Sequence, residues 1–316
     1  MTKQYALVIG EALIDIVERP AIPLAEIPGG SPANVALTMA RLGRDSLLHT
    51  WIGPDAHGEA IKRHLEASGV RLTALSRGAE RTSTAHARIG ADNAATYDFT
   101  VEWAPAALPP LTPPPLVVHI GSFSAVAAPG DQVVAEAIRD CRASSTITYD
   151  PNVRPQLMGE AAAARAAISR LVALADVVKV SDEDLAWVAG DPAVDVEATA
   201  HAWLDLGPAI VVVTRGKAGA LALAANGARV EVAADPTVQV VDTVGAGDSF
   251  MGGLNDALWR AGLLGADRRA ALRSVDADVL QALLQRAAAV ADITVSRAGA
   301  NPPTAAEVDA ALAPHD

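Results

Sequence analysis

Asp248 follows a turn of small residues, Gly245, Ala246 and Gly247, and precedes a stretch with helical periodicity. Small residues let an anion approach the backbone, and the free N–H groups and dipole of a helix N-terminus favour negative charge. A carboxylate beside such a turn can accept a proton from an attacking hydroxyl while the turn stabilises charge on a phosphate. The alternative is an ordinary acidic residue in the first turn of a helix, and the spacing alone leaves both open.

A second turn of small residues, Gly-Gly-Ser-Pro-Ala-Asn at 29–34, precedes a helical pattern at 35–42 that Gly43 ends. Asn34 falls in the first turn of that helix, where its amide can bind sugar hydroxyls or cap the helix. Asp15 lies shortly after the first predicted strand. Ligands of open α/β sheets gather at the carboxyl ends of strands, so Asp15 is a candidate binding residue.

Two further segments place polar residues after predicted strands. In Tyr-Asp-Pro-Asn-Val-Arg at 149–154, Arg154 can hold a phosphate or a substrate oxygen, or form a surface salt bridge of little consequence. The segment Val-Thr-Arg-Gly-Lys-Ala-Gly at 213–219 is a strand followed by a turn. An ordinary β-hairpin continuing into residues 220–223 would explain it equally well.

Standard nucleotide and metal motifs do not account for these segments. The chain has no G-x-x-x-x-G-K-[ST] phosphate loop. A dinucleotide fingerprint G-x-G-x-x-G starting at Gly245 would need glycine at position 250, which is Phe250. That fingerprint also usually lies in the first βα unit, so an NAD-dependent oxidoreductase is a weak alternative. The seven histidines show no H-x-x-x-H spacing, and a zinc site is therefore not expected.

The elements that must position these residues alternate between β-rich runs and helical patterns. Buried strands are predicted at residues 6–9, 116–120, 146–149, 177–180, 210–213 and 238–241. Helices are predicted at residues 131–142, 160–174, 195–206 and 279–295. This alternation predicts an α/β fold with a doubly wound, mostly parallel sheet and helices on both faces.

Two stretches depart from the alternation, at about residues 14–28 and 82–101. They predict a small β layer attached to a single domain that spans residues 1–316. Within the second stretch, residues 85–89 and 96–101 form a predicted hairpin around Gly-Ala-Asp-Asn at 90–93, because Gly and Asn tolerate the positive φ of tight turns. Such a layer can close over a substrate as a lid or serve as a dimer edge.

Composition limits the classes of partner. The 316 residues carry a net charge of −12, which argues against non-specific nucleic-acid binding. No segment approaches the roughly 20 apolar residues that span a membrane, and no signal peptide is recognisable. Cys141 is the single cysteine, which excludes an internal disulfide and fits a reducing compartment. We therefore expect a cytoplasmic protein with small-molecule partners.

Taken together, these segments resemble the ribokinase-like (PfkB) family of carbohydrate kinases, from Gly10 to about Pro303. The run at 29–34, continuing to Gly-Pro-Asp-Ala-His-Gly at 53–58, is similar to the family's N-terminal signature. Asp-Thr-Val-Gly-Ala-Gly-Asp-Ser-Phe at 242–250 is similar to its C-terminal signature. The resemblance implies a ribokinase-like fold with a β lid, often shared between two subunits, and transfer of a phosphoryl group from ATP to a sugar.

The resemblance also implies roles for matching residues. Asp248 would be the catalytic base, and Gly245, Ala246 and Gly247 would form the anion hole over the transferred group. Sugar binding would fall to Asp15, Gly30, Asn34 and Arg154. Phe99 and Trp103 would either wall the sugar or pack the lid.

On the nucleotide side, the resemblance points to Lys179, Ser181, Thr214, Gly216, Gly219 and Asn301. The family's N-x-x-E motif, linked to Mg²⁺, is Ser-Asp-Glu-Asp at 181–184 here, with both ends altered. Glu183 or Asp184 would supply the acid. Asp242 and the loop at 296–301 match the region where some members hold a monovalent cation such as K⁺.

The subfamily follows from short runs similar to bacterial fructokinases: Gly-Glu-Ala-Leu-Ile-Asp at 10–15, Tyr-Asp-Pro-Asn-Val-Arg at 149–154 and Val-Lys-Val-Ser-Asp-Glu at 178–183. These runs predict phosphorylation of D-fructose to fructose 6-phosphate. A 2-keto-3-deoxygluconate kinase shares the Asp-x-Asn-x-Arg element and is the nearest alternative, followed by a ribokinase. A protein that kept the fold, binds sugar or nucleotide and lost catalysis is the non-enzymatic alternative.

Overall fold

The computed structural model of the chain describes residues 4–19, 22–89 and 95–313. Its strands are β1 (Ala6–Ile9), β2 (Leu13–Arg19), β3 (Ile22–Gly29), β4 (Ser46–His49), β5 (Arg71–Leu72), β6 (Thr84–Ile89), β7 (Ala95–Thr100), β8 (Val117–Gly121), β9 (Thr146–Asp150), β10 (Val177–Ser181), β11 (Ile210–Thr214), β12 (Ala220–Ala224) and β13 (Arg229–Val232). Its α-helices are α1 (Ser31–Arg41), α2 (Ala56–Glu66), α3 (Asp131–Cys141), α4 (Ala161–Leu174), α5 (Asp182–Ala189), α6 (Val196–Leu206), α7 (Ala246–Arg260), α8 (Arg269–Leu272), α9 (Ala277–Val295) and α10 (Ala305–Ala311).

The large sheet has the strand order β13-β12-β11-β10-β9-β8-β1-β4-β5. The strands from β11 to β5 run parallel, and β12 and β13 add antiparallel at one edge. This arrangement confirms the predicted doubly wound, mostly parallel sheet. Because the chain order reverses direction at β1, the strand ends around β1, β8, β9 and β10 border the crevice where ligands of such folds bind.

Two hydrophobic cores cover the two faces of this sheet. Alternate residues of β1 enter different cores: Ala6 and Val8 pack on the side of α1, α7 and α9, and Leu7 and Ile9 pack on the side of α3 and α4. A strand buried on both faces has no polar face to present. This burial explains why the predicted strands are continuous apolar runs.

A second, four-stranded sheet has the order β3-β2-β6-β7. Its central pair β2–β6 is parallel, with Ile14 opposite Thr84, and the outer pairs are antiparallel. The turn predicted at residues 90–93 lies outside the described residues. Leu24 and Ile27 on the edge strand β3 are 52% and 44% exposed. This sheet therefore presents apolar side chains to solvent beside the crevice of the large sheet.

The strand predicted at residues 238–241 is wrong. The segment is irregular, and Val240 and Val241 are 59% and 63% exposed. The N–H of Val241 donates to the carbonyl of Val295, the last residue of α9, at 2.8 Å. Because this pairing fixes the segment to the end of a helix, its β-branched sequence has no strand partner.

Within the described residues, no helix is long and apolar enough to cross a membrane. Cys141, at the end of α3, is buried, and burial raises the pKa of its thiol. This side chain is therefore a core residue with an unreactive thiol.

Candidate active site

The first turns of α1 and α7 meet at Asp248. Ser31 Oγ donates to Asp248 Oδ1 at 2.7 Å, and Asn34 Nδ2 donates to Asp248 Oδ2 at 2.8 Å. The carboxylate is 9% exposed. Since each oxygen accepts one hydrogen bond and has a further lone pair, the carboxylate is held in one orientation and can still accept a proton.

The turn before Asp248 has the backbone geometry of an anion site. Gly245 caps α7 with φ of 73°, and a Cβ there would lie 2.6 Å from Ala300 Cβ. A Cβ on Gly247 would lie 2.9 Å from the Lys179 ammonium. The Ala246 N–H donates to the Thr243 carbonyl at 3.2 Å, and the other first-turn N–H groups of α7 have no carbonyl partner within the helix. Backbone donors, the helix dipole and a cation therefore converge on one small volume, which suits a phosphate.

Lys179 lies in β10 between buried valines and is 4% exposed. Its Nζ is 2.9 Å from Asp150 Oδ2, at the end of the neighbouring strand β9. Burial raises the pKa of Asp150 to about 6, an effect that Lys179 opposes and that the charges of Asp248 and Asp184 reinforce. The Asp150 carboxyl is therefore ionised at neutral pH, and its hydrogen bond fixes the Lys179 ammonium beside the turn.

Asp184 contributes a further carboxylate to this cluster. Ser181 caps α5 by accepting a hydrogen bond from the Asp184 N–H at 3.0 Å. Burial raises the pKa of Asp184, and the charges of Lys179 and Arg154 oppose that effect. Of the two acids that the sequence offered, Asp184 faces the cluster, whereas Glu183 is exposed.

Asp15 of β2 approaches the same centre from the second sheet. A Cβ on Gly29 would lie 2.2 Å from Asp15 Oδ2, so only glycine leaves room for this carboxylate. Burial raises the pKa of Asp15 to about 6; Arg154 lowers it and Asp248 raises it. Arg154 is exposed, with Nη1 donating to the Val153 carbonyl at 2.9 Å. The structure thus brings Asp15, Arg154 and Asp248 within electrostatic reach of one another.

The sequence matches the pfkB family of carbohydrate kinases over residues 3–307. This chain belongs to that family. The expected family and its ribokinase-like fold are therefore confirmed. The NAD-dependent alternative has no support in these similarities.

Three relatives of this pfkB kinase illustrate the range of similarity. Fructokinase of Klebsiella pneumoniae is 34% identical over 260 residues, which cover 78% of this chain and 82% of the relative. A double mutant of Vibrio cholerae fructokinase, solved with fructose, ADP and potassium ion, has a TM-score of 0.78 at 26% identity and covers 98% and 99% of the two chains. Aminoimidazole riboside kinase of Salmonella enterica, solved with its riboside and an ATP analogue, has a TM-score of 0.78 at 25% identity, with 98% and 100% covered.

Three of the predicted nucleotide-side residues, Thr214, Gly216 and Gly219, lie in the β11–β12 hairpin. Residues Gly216–Ala218 form a short 3₁₀ turn, and a Cβ on Gly219, whose φ is 85°, would lie 2.0 Å from the Val232 carbonyl oxygen. Thr214 Oγ1 is 3.5 Å from the Val180 carbonyl. The segment is therefore a tight hairpin turn packed against the end of β13, and its role toward the nucleotide stays a prediction.

Asp242 links the segment that contains Val244 and Gly245 to the loop after α9 that contains Gly299. Its Oδ1 accepts from the Val244 N–H at 3.0 Å, and its Oδ2 accepts from the Gly299 N–H at 2.9 Å. The side chain of Asn301 accepts from Arg41 of α1. Asn301 is thus engaged in holding this loop to α1, which differs from the nucleotide contact predicted for it and leaves that contact untested.

Trp103 and Phe99 differ in burial. Trp103 is 5% exposed, donates from Nε1 to the Ser124 carbonyl at 2.8 Å and covers Gly130, where a Cβ would meet its indole at 2.2 Å. This placement favours the packing role that the sequence left open. Phe99 lies opposite Ala85 in the β6–β7 pair and is half-buried.

Two buried acids were not assigned any role from the sequence. Asp150 is the last residue of β9, in the run at 149–154 from which only Arg154 is a predicted site residue. Glu11 is 4% exposed, and burial raises its pKa to about 7. Hydrogen bonds from Ser124 and Ser122 have the opposite effect and lower this pKa. Glu11 Oε2 has no partner among the described residues. An acid at the carboxyl end of a buried strand, or within two residues of it, is the signal that could have identified both.

We expect Gly245→Ala to disrupt the turn of this pfkB kinase. A positive φ costs a non-glycine residue about 1–2 kcal/mol, and the new Cβ would also clash with Ala300. Gly262→Ala is the matched control, because Gly262 has φ of 66° and no atom within 4 Å of its Cβ position. Urea unfolding should show a larger loss for Gly245→Ala, and kcat should fall in that variant alone. An equal loss of unfolding free energy and an equal kcat in the two variants would contradict this account of the turn.

Proposed function

We propose that this protein transfers the γ-phosphoryl group of ATP to the 6-hydroxyl of D-fructose, giving ADP and fructose 6-phosphate. The observation that carries the proposal is the buried Asp248 carboxylate, held by Ser31 and Asn34 at the N-terminus of α7, directly after the Gly247 turn that lies beside the Lys179 ammonium. A base directly beside an anion site suits the transfer of a phosphoryl group to a hydroxyl. The fructokinase relatives support fructose as the acceptor.

In the proposed reaction Asp248 accepts the proton of the sugar hydroxyl as its oxygen forms a bond to the γ-phosphorus. The bond between that phosphorus and the β,γ-bridging oxygen breaks, and ADP leaves with the electron pair. The N–H groups at the start of α7 and the Lys179 ammonium stabilise negative charge on the transferred group. Asp15, Asn34, Arg154 and the backbone at Gly30 orient the sugar.

Mg²⁺ fits this site as an ion held mainly by ATP. Among residues 4–19, 22–89 and 95–313, no group of three or more His, Cys, Asp or Glu side chains could hold a metal. Mg²⁺ typically keeps several waters and uses one or two carboxylates plus substrate phosphates, and Asp184 offers one carboxylate. When bound, Mg²⁺ would neutralise phosphate charge. Asp242 and the loop it fixes would hold K⁺, the ion present in the Vibrio cholerae structure.

The second sheet would act as a lid that limits the access of water to ATP. Its exposed Leu24 and Ile27 on the edge strand β3 support burial against a second copy, so we propose a homodimer formed through this sheet. The single buried cysteine fits a reducing compartment, and we place the reaction in the cytoplasm.

A panel of acceptors tests the proposal. With ATP and Mg²⁺ present, kcat/KM should be highest for fructose among fructose, 2-keto-3-deoxygluconate, ribose and aminoimidazole riboside. Aminoimidazole riboside is included because a relative 31% identical to this chain is a kinase of that name. Preference for another acceptor would replace fructose. ADP release with none of the four, despite binding of ATP and fructose, would support the non-catalytic alternative.

A further inference from the structure

A cavity of about 500 Å³ lies between the segment after β13, helix α9 and the end of α10. Apolar side chains, including Val232, Val238 and Ile293, form much of its wall. Asp235 and Asp292 also line it, and no lysine or arginine does so among the described residues. Two carboxylates without a cation would repel phosphate, so an uncharged group suits this cavity better.

The cavity adjoins both ends of the proposed nucleotide site. On one side, Val232 packs against Gly219 of the β11–β12 hairpin. On the other side, Ser296 begins the loop whose Gly299 donates to Asp242 and whose Ala300 lies against Gly245. A nucleotide with its phosphates at Gly245 and its base in the cavity would therefore lie along the hairpin.

The two carboxylates of the cavity differ in what they already bind. Asp235 Oδ1 accepts from both the N–H and the hydroxyl of Thr237, at 2.8 and 2.7 Å. Within the described part of the chain, no donor hydrogen-bonds to the Asp292 carboxylate. Burial, with the charge of Asp235, raises the pKa of Asp292 to about 6, so it is ionised at neutral pH. Asp292 thus offers a partly desolvated acceptor to whatever enters the cavity.

We propose that the Asp292 carboxylate accepts a hydrogen bond from the 6-amino group of adenine and so makes this kinase prefer ATP over nucleotides with a 6-oxo group. The inference rests on the proposed function, in which ATP is the donor. Adenine presents a hydrogen-bond donor at C6, whereas guanine and hypoxanthine present an acceptor oxygen there. An ionised carboxylate only accepts, so it pairs with the amino group and repels the oxo group.

The test compares ATP, ITP and purine riboside triphosphate, which has only hydrogen at C6, in the wild type and in Asp292→Asn. Hydrogen bonds to charged groups contribute enough to predict a wild-type preference for ATP over ITP of about 10- to 100-fold in kcat/KM. In Asp292→Asn this ratio should fall about tenfold or more, because the new amide can donate to O6. The purine riboside triphosphate should be weaker than ATP in the wild type and nearly equal to it in the variant. KM for the sugar should not change.

Asp278→Asn is the matched control, since it removes an exposed carboxylate from the first turn of the same helix α9. Its ATP-to-ITP ratio should equal that of the wild type. Calorimetric dissociation constants for ATP and ITP provide a readout that does not need turnover. An unchanged ratio of the ATP and ITP dissociation constants in Asp292→Asn would overturn the role of Asp292. If the wild type binds ATP more tightly than ITP by calorimetry but phosphorylates no sugar, the proposed function is rejected and the role of Asp292 is not.

Discussion

Asp248→Asn should lower kcat by roughly 10²–10⁴, the contribution expected of a general base. Asparagine keeps the size of the side chain and can still accept from Ser31 through its carbonyl oxygen. It cannot accept the proton of the sugar hydroxyl. The dissociation constants for ATP and fructose should therefore stay within a few-fold of the wild type, and the loss should appear in kcat.

Ser31→Ala is compared with Asp248→Asn because it should have a smaller effect on kcat. It removes the 2.7 Å hydrogen bond to Asp248 Oδ1 but leaves the base and its contact to Asn34. We expect a loss of about tenfold in kcat, from the typical strength of a hydrogen bond to a charged group. Single-turnover kinetics separate chemistry from ADP release. Near-normal turnover by a folded Asp248→Asn protein would remove Asp248 from the mechanism.

Lys179→Met should impair both catalysis and stability. Loss of a preorganised donor at a developing anion typically costs about 10²–10³ in kcat. The substitution also leaves the Asp150 carboxylate buried without its cation, and breaking a buried ion pair costs about 3–5 kcal/mol. Urea unfolding should show this loss of stability.

The double variant Lys179→Met, Asp150→Asn separates the two roles of the lysine. Because it removes both charges, it should recover most of the lost free energy of unfolding. Its kcat should remain low, since no cation lies beside Gly247. Recovery of turnover together with stability would show that Lys179 acts only by neutralising Asp150.

The local sequence patterns of the chain were sufficient to predict most of the strands and helices of the fold. Strands such as β10 and β11 are buried on both faces, so their apolar runs were recognisable without any partner. The predicted strand at 238–241 had the same composition and failed, because strand formation depends on a neighbour to pair with. The irregular segment instead donates to the end of α9, a contact between distant residues that composition does not encode.

Some of the site residues could also be predicted from the sequence. A carboxylate after Gly-Ala-Gly at a helix start pointed to Asp248 because helix N-termini bind anions wherever they occur. Asp150, Glu11 and Asp292 do not follow a glycine turn at a helix start. Each matters through what burial places beside it: Lys179 from the next strand, the serines after β8, and the cavity between α9 and β13.

Local sequence patterns therefore specify the α/β alternation, the anion-binding turn and the acid that follows it. These depend on periodicity and backbone preferences within a few residues. Tertiary packing is what brings Ser31 and Asn34 to Asp248, a residue more than 200 positions away from them in the chain. It alone placed the Lys179 ammonium beside Gly247. The pairing of strands and the packing of helices bring such groups together, and their energies depend on burial and distance, which spacing along the chain does not specify.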